Sequence, residues 1–189
     1  MAQTLLSTTL QSRPQLRAAL AVLGGSALIG LGSQVAVPML PVPMTLQTLA
    51  VVLVGLTAGS RLGAAAVLTY LAQGAAGLPV FAGGAAGAAW LIGPTAGFLW
   101  GFVAMAFLAG LAVERGLARG FTTTLLAVLA VSALLYVPGV LWLTAATPLS
   151  LSDAAVAGMF PFLQGDAIKA LIAALTVTGA WAALRSRKA

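Results

Sequence analysis

Cysteine and histidine are both absent from these 189 residues, and only 12 residues carry charge. Without Cys there are no disulfides and no thiolate metal sites. Without His the usual general base, proton shuttle and imidazole metal ligand are missing. Acids are almost as scarce, since Glu114, Asp153 and Asp166 are the only three. Lys169 and Lys188 are the only lysines and neither follows a glycine-rich loop. That excludes the G-x-x-x-x-G-K phosphate loop, so the chain is no ATPase by that route. What fills the space is apolar: 61% of the residues are hydrophobic and 6% are charged, against about 25% charged in soluble domains. The composition is that of an all-α integral membrane protein.

The net charge of +6 does not point to nucleic acid. Such a site needs Lys and Arg clustered on one solvated face. Here they come in ones and twos between apolar runs, as topology determinants do.

Helix breakers divide the chain, read as a single transmembrane domain over 1–189, into six predicted helices: 16–37, 45–58, 62–78, 95–113, 121–143 and 164–184. The first lacks a convincing cleavage site before it and is read as a retained span. The second and third are shorter than the roughly 20 residues of a perpendicular span, so ordered loop must complete them. Short Gly/Pro-bounded segments of this kind point to a binding site. Arg13, Arg17, Arg61, Arg115, Arg119, Arg185, Arg187 and Lys188 all fall on one side of a six-span arrangement. The positive-inside rule makes that side, and both termini, cytoplasmic. The connections at 38–44, 79–94 and 144–163 contain no Lys or Arg and fall outside.

Lys169 is the exception, set within Ala-Ile-Lys-Ala-Leu-Ile about one turn into the sixth helix from the outer side. An ionisable group there costs about 2.5–3.5 kcal/mol on insertion scales, so it is paired, wet or functional. Asp166, three residues earlier, shares its helical face. The bland reading is an intrahelical pair that makes insertion tolerable. The functional one is an acceptor beside a donor at an outward-facing cavity, suited to a zwitterion, a carboxylate, or a neutral amide or urea.

Four further features invite more than one reading each. In Pro41-Val42-Pro43-Met44-Thr45-Leu46-Gln47-Thr48, Thr45 either N-caps the second helix or, with Gln47 or Thr48, touches a ligand. The glycines of Gly77-Leu78-Pro79-Val80-Phe81-Ala82-Gly83-Gly84-Ala85-Ala86-Gly87 either pack helices or let backbone approach a ligand. Tyr70, Trp90, Tyr136 and Trp142 are pocket walls, interface anchors or packing residues. The small residues Ala18, Ala21 and Gly25 of the first helix suit close helix packing, inside the chain or against a partner.

These segments, with Gly93-Pro94-Thr95-Ala96-Gly97 and Pro161-Phe162-Leu163-Gln164-Gly165-Asp166-Ala167-Ile168-Lys169, together resemble the BioY family over nearly the whole chain. The members of that family are biotin-specific substrate-binding (S) components of energy-coupling factor (ECF) transporters. The resemblance implies a six-helix S-component bundle in the bacterial inner membrane and high-affinity biotin uptake. It implies as partners a transmembrane coupling protein and two ATP-binding-cassette ATPases. A homo-oligomer or stand-alone transporter is the alternative. It implies no cofactor and no metal, and a transport subunit rather than an enzyme. Asp166 and Lys169 would meet the ligand, with Thr45, Gln47 and the backbone around Gly83 and Gly84 completing the polar shell. Phe81, Trp90 and Tyr70 would supply aromatic cover, and Ala18, Ala21 and Gly25 a docking face. Two departures stand out. Ala85 and Ala86 replace a polar residue found in some relatives, and Ala21-x-x-x-Gly25 replaces Ala-x-x-x-Ala.

Other classes fit less well. An S component for another vitamin is the nearest. An intramembrane enzyme lacks the groups for catalysis, since Glu114 is expected at the far side from Asp166. A scaffold gives a buried ion pair no purpose.

Overall fold

A computed structural model describes residues 13–186; Arg187 and Lys188 lie outside the described residues. The order is α1 (Pro14–Gln34), β1 (Ala36–Val37), β2 (Met44–Thr45), α2 (Gln47–Ala58), α3 (Ser60–Ala75), α4 (Ala96–Glu114), α5 (Phe121–Ala146), α6 (Leu151–Gly158) and α7 (Leu163–Ser186). Short 3₁₀ turns at Ala82–Gly84, Ala88–Leu91 and Phe160–Phe162 punctuate the connections. Six principal helices therefore form the bundle, and α7 is the sixth helix expected from sequence.

Among the described residues, four segments are long and apolar enough to cross a membrane: Pro14–Gln34, Ala96–Glu114, Phe121–Ala146 and Leu151–Ala183. Side chains that point away from the bundle, among them Leu20, Leu31, Leu126, Leu134, Leu141 and Leu175, are large, apolar and exposed. This is the surface of a multi-pass membrane protein, with lipid as the solvent for these leucines. At 1.5 Å per residue, α2 and α3 rise only about 18 and 24 Å, short of a roughly 30 Å hydrocarbon core. The missing length is built from ordered chain, a hairpin before α2 and the folded segment 78–95 after α3.

α4 is the centre of the bundle, packed against α2, α3 and α5. Glycines let the backbones meet. A Cβ on Gly55 would overlap the Ala106 carbonyl oxygen, and one on Gly110 would overlap the Gly59–Ser60 backbone. α1 lies on α2 and α3, while α7 lies on α5 and α2. The helices alternate in direction. One end of the bundle therefore carries Arg13, Arg61, Arg115 and Arg119, and the other carries the hairpin, segment 78–95 and α6. At the arginine end the exposed Glu114 carboxylate accepts the Ser60 N–H at 2.7 Å and the Ser60 hydroxyl at 2.8 Å.

Several boundaries differ from those expected; the second helix starts at Gln47, not 45, and the third at Ser60, not 62. The first helix stops at Gln34, not 37, because Ala36 and Val37 pair antiparallel with Thr45 and Met44. Between the two strands, Leu40–Pro41 is a cis peptide bond. The third helix ends at Ala75 rather than 78. The connection 144–163 is largely helical: α5 continues to Ala146, and α6 starts at Ser150, whose hydroxyl caps the Asp153 N–H at 3.2 Å. Ser150-Leu-Ser-Asp153 is a capping sequence whose signal stands in the chain.

Candidate functional site

The end of the bundle away from the arginines holds a cavity, partly open to solvent. Its floor is polar and its walls are apolar.

The floor is set by α7 and α2. Asp166 and Lys169 sit in the first turns of α7 and are 6% and 8% exposed. The Lys169 Nζ donates to Asp166 Oδ1 at 2.9 Å and to Thr48 Oγ1 at 3.1 Å. Thr48 in turn donates to Asp166 Oδ1 at 2.9 Å. From α5, the Tyr136 hydroxyl donates to Asp166 Oδ2 at 2.6 Å. Burying an ion pair costs several kcal/mol per ion unless geometry and further hydrogen bonds compensate. Here four side chains from three helices close into one network. Three donors meet a carboxylate with about four acceptor sites, and Lys169 has spent two of its three N–H groups. One acceptor site and one ammonium donor are left for an incoming molecule.

Thr45 and Gln47 extend the polar floor. The Gln47 N–H donates to Thr45 Oγ1 at 3.2 Å, and Thr45 donates back to Gln47 Oε1 at 3.1 Å. Thr45 thus serves the start of α2 by this local bond; the cap position itself is Leu46. Gln47 Nε2 donates to Tyr70 Oη at 2.7 Å. Tyr70 is completely buried and stands behind the cavity rather than on it. It holds Gln47 and meets Phe81 edge-on, with ring centroids 5.5 Å apart.

Segment 78–95 forms one wall. It is fastened to α1 by Ser33, which donates to the Val80 carbonyl at 2.5 Å, and by Gln34, which donates to that of Phe81 at 3.1 Å. Gly87 N–H donates to Gly74 O of α3 at 2.8 Å. Phe81 and Ala82 line the cavity together with Trp90. Gly83 and Gly84 do not. They are exposed, and their φ angles of 69° and 76° show their use: they turn the chain through conformations that side chains disfavour.

The opposite wall, Phe98, Leu99 and Phe102 of α4 with Leu135 of α5 and Phe162, was not anticipated from sequence, and neither was Thr95. On uniformly apolar helices these residues read no differently from lipid-facing ones. Tyr136 and Thr48 carried a polar signal but no indication of their partner. Of the small residues on α1, Gly25 is buried against Val54 and Ala66 of its own chain, so as a docking residue it is corrected to internal packing. Ala18 and Ala21 are half-buried. Among the described residues no cluster of acids could hold a metal ion.

Known proteins share this sequence and architecture. The model of the BioY family matches residues 3–186. The biotin transporter BioY of Thermotoga maritima is 39% identical over 150 residues, which cover 79% of this chain and 87% of that protein. The biotin transporter BioY of Rhodobacter capsulatus is 40% identical over 163 residues, covering 78% and 84%. Among solved structures, the S-component for biotin from an ECF-type ABC transporter superposes with a TM-score of 0.80 at 25% identity, covering all of this chain and 96% of that one.

Proposed function

The chain belongs to the BioY family, and from that premise we propose that it binds biotin in this cavity and serves as the substrate-specific subunit of an uptake system. The observation that carries the reading is the Asp166–Lys169–Thr48–Tyr136 network at the base of an apolar, aromatic-walled cavity. Biotin has a cyclic urea, with N–H donors and a C=O acceptor on one rigid edge, fused to an apolar thioether ring. The free acceptor site of Asp166 takes a urea N–H, and the free Lys169 donor takes the urea oxygen. Thr45 and Gln47 flank the head, and Phe81, Trp90 and Phe98 cover the thioether ring. Charge-assisted bonds of this kind are worth about 1.5–3 kcal/mol each when desolvated.

The arginine-bearing end faces the cytoplasm under the positive-inside rule, which turns the cavity outward. The membrane is then the bacterial inner membrane. Energy comes from outside the chain, which has no phosphate loop of its own. A transmembrane coupling protein and two ATP-binding-cassette ATPases supply it, with α1, through Ala18 and Ala21, as the docking helix.

Purified protein is expected to bind labelled biotin with one site per chain. Absence of saturable binding would refute the assignment. Uptake of labelled biotin by cells carrying the chain with and without coupling partners separates the ATP-driven reading from stand-alone transport. Tyr136→Phe tests the network from its edge. It removes one hydrogen bond to a charged oxygen and leaves the ion pair whole, so affinity falls by about tenfold. Isothermal titration measures it, and an unchanged Kd would remove Tyr136 from the site.

A further inference from the structure

Resting on the biotin reading, we infer that the site recognises the ureido head and is indifferent to the charge of the tail, so that biotin amides and biotinyl-lysine are ligands alongside the free acid. The cavity holds no cation to spare for a carboxylate. Among the described residues, the only ionised ones that line it are Asp166 and Lys169, which cancel each other. The three connections at this end of the bundle contain no Lys or Arg. Asp153, the other ionised group there, is negative. Arg115, at the far end of α4, is about 30 Å from Thr95 along the helix axis, several screening lengths away in physiological salt.

Lys169 does not fill the gap. It is 8% exposed at the base of the cavity and bonded to Asp166 and Thr48. Turning it towards a tail at the mouth would leave the Asp166 carboxylate buried without its counter-charge. The more exposed lining residues are instead neutral: Pro43, Ala82, Trp90 and Thr95. A carboxylate placed there meets only neutral donors, the Thr95 hydroxyl and the Trp90 indole N–H, and both are open to an amide carbonyl as well. An amide also loses less hydration on entering an apolar mouth.

The test uses the unaltered chain, purified in detergent, with biotin, biotin carboxamide and biotinyl-lysine as titrants at low and high salt. The expected result is that all three bind within about tenfold of one another, and that the acid's Kd changes less than about threefold with salt. A charge-assisted bond to the carboxylate would separate acid from amide by about tenfold to 150-fold. Acid binding with amide affinity more than about tenfold weaker overturns this inference and leaves the biotin assignment standing. Binding by none of the three overturns the biotin assignment itself.

Discussion

Asp166→Asn is expected to weaken biotin binding by at least about 100-fold, the largest loss from any single polar change in the cavity. The carboxylate does two things at once. It offers the acceptor site for a urea N–H, and it holds Lys169, Thr48 and Tyr136 at bond lengths of 2.6–2.9 Å. An amide carries one oxygen in place of two and no charge. Loss of two charge-assisted bonds at about 1.5–3 kcal/mol each corresponds to roughly 10²–10⁴ in affinity. The variant also leaves a buried ammonium without its counter-ion, a defect worth about 3–5 kcal/mol of stability. Binding and stability separate in the double variant Asp166→Asn/Lys169→Met. Removing both charges restores much of the thermal stability, because no charge is left unpaired, but does not restore biotin binding. Thermal unfolding in detergent and titration with biotin read the two effects independently. Near-wild-type affinity in Asp166→Asn would exclude the carboxylate from the ligand.

Gly110→Val is expected to yield no monodisperse folded protein. The added atoms fall on the backbone of Gly59 and Ser60, the turn that joins α2 to α3. Side chains relieve overlap by changing rotamer; a backbone wedged between three helices has no such freedom. Gly59 itself has φ 87°, so the turn cannot easily be rebuilt elsewhere. Pushing it away separates α2, which carries Thr48 and Gln47, from α4, which carries Phe98 and Phe102. Gly179→Ala is the control. Nothing lies within 4 Å of a Cβ at Gly179, and its effect stays within about 0.5 kcal/mol. Fluorescence-detected gel filtration of tagged variants distinguishes them. A normal peak for Gly110→Val would mean that the α2–α4 contact is looser than described.

Much of this was legible in the chain. Six apolar stretches set the helix number. One lysine in a lipid-compatible run, with an acid one turn before it, marked the base of the cavity. Pro and Gly clusters marked the segments that complete the short helices. What escaped sequence reading were relations across the fold. Tyr136 reaches Asp166 from a helix 30 residues earlier, and no periodicity encodes that. Phe98, Leu99 and Phe102 face a ligand space on a helix whose lipid-facing side is equally apolar. Tyr70, which reads from the sequence as aromatic cover, stands one layer behind the cavity lining, bonded to Gln47. Gly83 and Gly84, which read from the sequence as ligand contacts, are absent from the cavity lining and shape the loop that presents Phe81. The end of α1 was set by a two-residue strand pairing that helical propensity does not register.

The self-cancelling ion pair also has an electrical consequence. A cavity whose two ionised groups sum to zero carries no charge of its own through the membrane field, so an empty site can change sides without electrical work. Loaded with a carboxylate, it carries one negative charge, and an inside-negative potential opposes entry by up to about 2.3 kcal/mol per 100 mV. Loaded with an amide, it carries none. For the acid, accumulation therefore has to overcome voltage as well as concentration.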